Sequence, residues 1–336
     1  MVPVGSLDPL SDVLRTVKLK GALFFMVDAT SPWCVEVPEA GDFAAIILPS
    51  ARHVVSYHVV VDGQGLACIA GSEPITFESG DILVLPHGDP YLMCSAPGVP
   101  PELDREQTLR FFRDMAAGSL PFVIPEGGGN SPRARFICGF LGCDLAPFNP
   151  LFASLPPVLH IRHPSGSRTD LLDRLVDLAI AEAQTRRAGG ESIRLGLSEL
   201  MFVEVLRRHL ETLATDGPGW LAGLRDPKVG RALALLHAEP AKAWTLDALA
   251  SAAGTSRSVL AEHFGRSVGE TPMRYLKLWR MQLAARLLAD GATKVATISE
   301  EVGFHSEAAF SRTFKDVTGL SPAQWRRTAQ VPRRQP

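Results

Sequence analysis

Apolar side chains follow two different periodicities along the chain. Through residues 1–160, short runs rich in β-branched and aromatic residues alternate with Gly, Pro and Asp turn signals, which is typical of strands. These runs are 43–48, 54–61, 66–70, 75–77, 81–85 and 135–140. Short strands at this spacing predict a sandwich or a small barrel.

Beyond residue 168 the apolar positions recur at three- and four-residue steps, which predicts helices. Two helices are expected within 168–213. The first carries Leu171, Leu172, Leu175, Val176, Leu178 and Ala179, and the second carries Leu200, Val203, Leu206 and Leu210. A stretch rich in Gly and Pro at 214–226 predicts a linker. Seven further helices are predicted at 227–238, 245–252, 256–267, 272–289, 295–302, 306–317 and 322–328.

The last third of the chain contains an internal repeat with a spacing of 50 residues. The matched pairs are Leu260 and Phe310, Phe264 and Phe314, Gly269 and Gly319, Thr271 and Ser321, Pro272 and Pro322, and Tyr275 and Trp325. Each copy has a helix, a turn with Gly and a second helix, which predicts a helix-turn-helix. The helix expected between the copies spans about 27 Å. The two second helices could therefore address successive major-groove segments, which lie about 34 Å apart.

Charge is distributed unevenly over the 336 residues, although the net charge is only −2. Residues 227–336 contain 16 Lys and Arg against 9 Asp and Glu, a net charge of +7, and the remainder contains 18 against 27, a net charge of −9. A basic third on an acidic remainder favours a polyanionic partner for that third. Chance variation of surface charge is the alternative.

Composition narrows the class of protein further. A content of 46% hydrophobic and 21% charged residues is typical of globular domains, and the length predicts two or three of them. We find neither a signal-peptide pattern nor an apolar run of about 20 residues, so we expect a cytoplasmic protein without a membrane partner. The five cysteines are an odd number without a dense framework, which favours reduced thiols.

Several motifs in the last third resemble the AraC/XylS family of bacterial transcription regulators. They are Leu260–Phe264, Gly269–Pro272, Arg286–Leu288, Val302–Phe304, Phe310–Lys315 and Gly319–Pro322. The resemblance covers about residues 225–328. It implies sequence-specific binding to double-stranded promoter DNA, with RNA polymerase as a partner and activation as the favoured outcome. Glu262 and Ser299 depart from the family pattern, which has Arg and a small Ala at these positions.

The acidic part is similar to the cupin-type sensor domains that are fused to such regulators. Residues 80–91 resemble the second cupin motif. The resemblance implies an α+β multidomain fold: a cupin-like β-barrel sensor at 1–165, a helical dimerisation element at 166–213, a linker at 214–226 and an all-α DNA-binding domain with two helix-turn-helix units at 227–330. We therefore expect a homodimer controlled by a small-molecule effector.

The exposed positions of the second helix in each repeat are candidates for contacts with bases. They are Arg257, Ser258, Ala261 and Glu262 in the first copy, and Glu307, Ala308, Ala309 and Arg312 in the second. Arg312 is the best candidate for bidentate bonding to guanine, with a phosphate contact or a salt bridge within its helix as alternatives. Arg266, Arg274, Lys294 and Lys315 are candidates for phosphate contacts, as is Arg257.

The barrel offers candidate effector contacts at His58, His87, Tyr91, Cys138 and Cys143. Cupin enzymes place a metal-binding His where Tyr91 stands, and the expected His-x-His and Glu are missing. We therefore expect a binding pocket without a cofactor, and no enzyme activity. Cys138 and Cys143 could be buried structural thiols, a reactive sensor pair, or zinc ligands together with His87.

Two other functions stay open from the sequence. A cupin-type metal enzyme with an appended helical domain predicts bound metal and turnover without DNA. A helical scaffold for protein partners predicts DNA association that is weak and insensitive to salt. The dependence of DNA binding on salt concentration separates these functions from that of a DNA-binding regulator, because phosphate neutralisation gives a steep salt slope.

Overall fold

A computed structural model describes residues 8–17, 19–162, 170–185, 187–214, 217–291 and 293–330. The expected boundary at 165/166 and residues 215–216 of the expected linker lie outside these residues. The strands are β1 Leu19–Ser31, β2 Cys34–Val37, β3 His53–Asp62, β4 Gln64–Ile69, β5 Ile75–Glu78, β6 Ile82–Leu85, β7 Tyr91–Cys94, β8 Val123–Gly127, β9 Asn130–Cys143 and β10 Leu159–Ile161. The helices are α1 Pro9–Thr16, α2 Ala40–Ile47, α3 Arg105–Ala116, α4 Pro150–Ser154, α5 Leu171–Gln184, α6 Gly190–Thr212, α7 Trp220–Arg225, α8 Pro227–Ala238, α9 Leu246–Ala252, α10 Arg257–Val268, α11 Pro272–Asp290, α12 Val295–Glu301, α13 Glu307–Thr318 and α14 Pro322–Gln330.

Two sheets face each other in the N-terminal part, which confirms the β-rich fold predicted for it. A six-stranded sheet has the order β10-β6-β3-β9-β1-β8, and a four-stranded sheet has the order β2-β7-β4-β5. Phe25, Phe77 and Phe136 belong to the core between the sheets. Successive side chains of β1 and β9 point to opposite faces of the larger sheet, and residues on both faces are buried. Both faces of this sheet are therefore apolar.

The second face of the large sheet is covered by helices. Met201, Phe202 and Val205 of α6 are buried against the side of the sheet that carries Tyr57, and the Tyr57 hydroxyl lies 3.1 Å from Ser198 Oγ. The helices expected within 168–213 are therefore present as α5 and α6. They form a hairpin on the sheet.

Residues 43–48 were predicted as a strand, and this prediction is wrong. They lie mostly in α2, where Phe43 and Ile47 are buried one helical turn apart. A short run of apolar residues has the same composition in a buried strand and in a helix, and here the four-residue spacing of the buried side chains reveals the helix.

Cys34 and Cys94 were expected to be reduced, and the structure corrects this expectation. They lie directly opposite each other on the antiparallel strands β2 and β7, 4.1 Å apart between Cα atoms, and they are joined by a disulfide. Their separation of 60 residues in the chain gave no sign of this pairing.

Part of the segment expected to be a linker is buried. Residues 220–225 form α7, and Trp220, Leu221 and Ala222 are almost inaccessible to solvent. Trp220 and Leu221 belong to a core that also contains the outer face of the large sheet, α5 and α6, and the first helices of the C-terminal part. The sensor and the first half of the C-terminal part are therefore packed as one unit.

The seven helices predicted after residue 227 are confirmed as α8–α14. They form two similar halves along α11. Tyr275, Leu276 and Trp279 of α11 pack with Leu260 and Phe264 in the first half. In the second half, which has its own core, Met281, Ala284, Ala285 and Leu288 of α11 pack with Phe310, Phe314 and Trp325. Among the described helices, none has the length and apolar character that a membrane crossing requires.

Gly139 provides a test of the packing between the large sheet and α6. A Cβ atom at this position would lie 2.0 Å from the ring of Tyr57, so Gly139→Ala should lower the free energy of unfolding by about 1–3 kcal/mol. Urea denaturation measures this loss. Gly41→Ala is the matched control, because a Cβ there meets open space in a helix. Equal stability of the two variants would contradict the packing described.

Candidate nucleic-acid interface and sensor pocket

The two helix-turn-helix units present equivalent recognition helices, α10 and α13. Each begins with a serine cap: Ser256 Oγ accepts from the backbone N–H of Val259, and Ser306 Oγ accepts from that of Ala309. Each helix ends at a glycine with a positive φ, 77° at Gly269 and 76° at Gly319. The sequence repeat therefore reflects a structural repeat.

The positions proposed for base contacts lie opposite the buried faces of these helices. Leu260 and Phe264 bury one face of α10, and Phe310 and Phe314 bury the same face of α13. Six of the eight candidate positions are exposed, and Ala261 and Ala309 are half-buried. The exposed ones are Arg257, Ser258, Glu262, Glu307, Ala308 and Arg312. The carboxylate of Asp247 lies 3.6 Å from Arg257 Nη1.

The candidate phosphate contacts are also exposed. Arg274 at the start of α11 pairs with Glu270, with a distance of 2.7 Å from Nε to Oε2. Within the described part of the chain, Arg266, Lys294 and Lys315 form no ion pair, and neither does Arg312. The alternative of a salt bridge within α13 for Arg312 is therefore not realised, so its guanidinium is available to an external partner.

Arg280 fixes the second unit against the first, and the sequence gave no sign of it. Its guanidinium donates to the carbonyl oxygens of Pro240 at 2.6 Å and Lys242 at 2.8 Å, which lie between α8 and α9. It also donates to the carbonyl oxygen of Gly303 at 3.3 Å, in the turn of the second unit. Gly303 itself allows close approach, because a Cβ there would lie 2.5 Å from the carbonyl oxygen of Ala241.

A buried hydrogen-bond chain joins the sensor side to α11. Trp220 Nε1 donates to the hydroxyl of Tyr275 at 2.9 Å, and that hydroxyl lies 2.7 Å from Nε2 of His237. The ring of His237 stacks on Trp279, and its Nδ1 lies 3.4 Å from the carboxylate of Asp12 in α1. Helix α1 precedes the barrel in the chain, yet it contacts the DNA-binding part.

Three of the five candidate effector residues meet inside the barrel. The Nε2 atom of His58 lies 2.6 Å from the hydroxyl of Tyr91, and both side chains are buried. Cys138 lies opposite His58 across β3 and β9. Burial lowers the pKa of His58 to about 3, so its imidazole is neutral at physiological pH. The Nδ1 atom of His58 has no hydrogen-bond partner among the described residues.

The other two candidates lie elsewhere, and of the three alternatives for Cys138 and Cys143 the structure agrees with buried thiols that do not pair. They are five positions apart on β9, an odd number, so their side chains point to opposite faces of the sheet. Cys138 belongs to the core between the sheets and Cys143 to the core beneath α6. His87 is exposed, and its Nε2 lies 3.0 Å from the carbonyl oxygen of Leu155.

A cupin-type metal does not fit these residues. His58 contacts Tyr91 instead of a second imidazole, and Cys138 and Cys143 lie in different cores on opposite faces of the large sheet, so they do not form a zinc site together. The described residues contain no group of three or more His, Cys, Asp or Glu side chains that could hold a metal ion.

A cavity opens beside Cys138 between the edge strands β2 and β8. It contains about 510 Å³ of space free of protein atoms, part of it open to solvent. Its polar lining includes Glu102 and Glu126, which no sequence motif identifies as candidates for effector binding. They are single acidic residues in loop-like surroundings, and only the fold brings them together.

Comparison with known proteins agrees with this arrangement. A family described as Cupin matches residues 8–211, and a helix-turn-helix domain matches residues 249–328. An AraC-like transcription regulator of Streptomyces antibioticus is 34% identical over 324 residues, which cover 96% of this chain and 99% of that protein. A similar regulator of Streptomyces lividans is 34% identical over 329 residues, covering 97% and 100%. The HTH-type transcriptional regulator AlkR of Acinetobacter baylyi is 28% identical over 321 residues, covering 95% and 99%.

The buried imidazole of His58 makes the stability of the protein depend on pH. Its pKa is about 3 in the folded chain and about 6.5 when unfolded, so the unfolded state gains a proton first as the pH falls. Between about pH 7 and pH 5 the wild type should lose about 2 kcal/mol more free energy of unfolding than His58→Gln. Urea denaturation at both pH values measures this difference.

His305→Gln is the control for that comparison, because His305 is exposed. It should show the same loss of stability as the wild type. If His58→Gln shows the full loss as well, His58 is not the buried neutral group described here.

Proposed function

The chain belongs to the AraC family of DNA-binding transcription regulators, and we propose that its two helix-turn-helix units bind one promoter site together, under the control of a small molecule in the barrel. The observation that supports the joint binding is the pair of equivalent halves along α11, each with an exposed recognition helix. Because a single α-helix carries both halves, one chain can hold two recognition helices in successive major-groove segments.

The charge of the C-terminal part supports this function. Residues 227–336 have an excess of seven positive charges, and several exposed cations on α10–α13 have no internal partner among the described residues. Such cations bind phosphates and release counterions, so DNA affinity should fall steeply with salt. A gel shift on promoter DNA at several salt concentrations tests this. A flat salt response would favour the protein-binding scaffold.

We assign the two classes of contact by position. Exposed side chains on the recognition helices read bases, with Arg312 placed for guanine. Arg266, Lys294 and Lys315 hold phosphates, as does Arg274 after exchange of its Glu270 partner. RNA polymerase as a partner and activation as the outcome follow from the family alone.

The effector can act because the barrel and the first unit share a core. A ligand that favours one packing of the large sheet against α6 also changes the support for α7 and α11. The effector then shifts the population of orientations in which both units fit DNA. Coupling of this kind requires a ligand with different affinities for the two arrangements.

A thiol-reactive signal is a second candidate, and the observation that favours it is the bond between Cys34 and Cys94. In a reducing compartment such a pair is more typical of redox sensing than of structure. Cys138 and Cys143 give no support, because burial raises the pKa of Cys143 to about 12 and that of Cys138 well above its usual value. Thiols of this kind react slowly.

Metal enzyme chemistry has no support in the barrel, since the ligand set is incomplete. The relatives are named as transcription regulators over nearly their whole length, which also favours a function without catalysis.

Dimerisation is proposed to use the α5–α6 hairpin. Four large apolar side chains on its outer side are about half exposed: Leu171, Leu178, Ile193 and Leu200. On each helix the two residues are seven apart, so they lie on one side of it, as in helix pairs between subunits.

Arg312→Ala should cost about 1–3 kcal/mol in binding to the preferred site and relax the preference at one base pair. Lys315→Ala is the matched comparison, because it should weaken binding to all sequences alike and reduce the salt slope by about one. Binding measurements on a library of mutated sites show both effects. A uniform loss for Arg312→Ala would make Arg312 a phosphate contact.

Leu200→Asp should convert the dimer into a monomer, because it places a charge in an apolar interface. Light scattering during gel filtration measures the mass. Val123→Asp is the control, since Val123 is an exposed apolar residue on β8, outside the α5–α6 hairpin. A dimer that survives Leu200→Asp would place the interface elsewhere.

A further inference from the structure

The cavity beside Cys138 lies between the two sheets of the barrel, at the edge where they separate. The edge strand β8 of the larger sheet and the edge strand β2 of the smaller one do not pair, and α3 covers the gap between them. Because β2 and β8 are not hydrogen-bonded to each other, a ligand can enter between them without breaking hydrogen bonds within either sheet.

The walls of the cavity are rich in aromatic rings. Phe25 and Phe140 come from the large sheet, and Phe111 and Phe112 come from α3. The rings of Phe25 and Phe111 meet edge to face, with centroids 5.5 Å apart. An aromatic lining binds apolar bodies, and the ring faces also attract cations.

The charged side chains of the lining are all acidic. They are Glu36 on β2, Glu102 before α3 and Glu126 on β8, and the lining includes no Lys, Arg or His among the described residues. The neighbouring cation, Arg133, is held by Asp28 and lies in the adjoining open depression. The cavity is therefore an apolar space with negative charge and without its own counterion.

Glu126 and Glu102 both line this cavity, and both also line the open depression beside it. Burial and the nearby Glu102 raise the pKa of Glu126 to about 7. Within the described part of the chain, neither carboxyl forms an ion pair. Two neighbouring carboxyl groups disfavour their joint ionisation unless a cation lies between them.

We propose that this cavity binds a small hydrophobic cation, with its apolar body among the phenylalanine rings and its ammonium group between Glu126 and Glu102. Such a molecule supplies both the apolar surface that the walls require and the charge that the carboxyl pair lacks. This proposal rests on the proposed function in one respect: it identifies the effector of DNA binding as a small hydrophobic cation.

The same strands carry the site and the contact with α6. Phe25 and Cys138 point into the cavity, and the adjacent Met26 and Ile137 point into the core beneath α6. A ligand that shifts β1 or β9 therefore acts directly on the core that the sensor shares with the first DNA-binding unit.

The test uses three probes that share one apolar body: 4-phenylbutylamine, 4-phenylbutanol and 4-phenylbutanoate. Calorimetric titration of the full chain at about pH 8 should give roughly tenfold tighter binding for the amine than for the alcohol, and the weakest binding for the carboxylate. In Glu126→Gln the preference for the amine should disappear while the alcohol binds as before. Glu73→Gln, at an exposed turn, is the matched control and should bind as the wild type.

The pH dependence gives a readout that needs no variant. The affinity for the amine should rise from about pH 6 to about pH 8 as Glu126 loses its proton, while the affinity for the alcohol stays level. Glu36, Glu102 and the thiol of Cys138 face the same space, so Glu102→Gln should shift this transition to lower pH. Equal binding of the three probes, or an unchanged preference in Glu126→Gln, would overturn the proposal.

A gel shift with and without the amine separates this site from the proposed function. If the amine binds through Glu126 and DNA binding does not change, the cation site stands and effector control of DNA binding fails. If no probe binds and the unliganded chain still binds DNA with a steep salt slope, the cation site fails and the DNA-binding function stands.

Discussion

One hydrophobic core extends from the outer face of the large sheet, through α6 and α7, to the first helix-turn-helix unit. Interiors packed at native density transmit strain instead of absorbing it. A displacement of the sheet therefore cannot be confined to the sensor, because Trp220 and Tyr275 belong to the same packed body and share a hydrogen bond. Separate domains joined by a flexible linker would not have this property.

The second helix-turn-helix unit depends on the first in a different way. It has its own core, and α11 carries it as a rigid extension. Arg280 of α11 donates three hydrogen bonds, two to the loop that follows α8 and one to the turn at Gly303. The orientation of the second recognition helix is thus determined by α11 and by one guanidinium. A small rotation at the first unit would be enlarged at the second, since α11 has 19 residues.

The sequence predicted the C-terminal part in detail because each local signal agreed with the fold. Serine caps, glycine ends and a repeat of 50 residues fix the helices, and the buried Leu260 and Phe264 leave the opposite face of α10 exposed. The barrel was predicted only in outline. Residues 43–48 are apolar enough for either a strand or a helix. The bond between Cys34 and Cys94 and the shared cavity of Glu102 and Glu126 depend on the tertiary fold, which no local pattern encodes. Residues 220–225 looked like a linker because glycine and proline precede them, yet tertiary packing buries their apolar side chains.

Helix α1 is the first described element of the chain, and it packs on α8 and α11 at the far end of the sequence. Val13 is completely buried there, and Asp12 lies beside His237. A fragment that begins at residue 227 would lose this cover from α8 and α11. Its DNA affinity would report on an altered support for α11. The N-terminal residues thus complete the domain at the opposite end, and truncation from either terminus should impair the same folding unit.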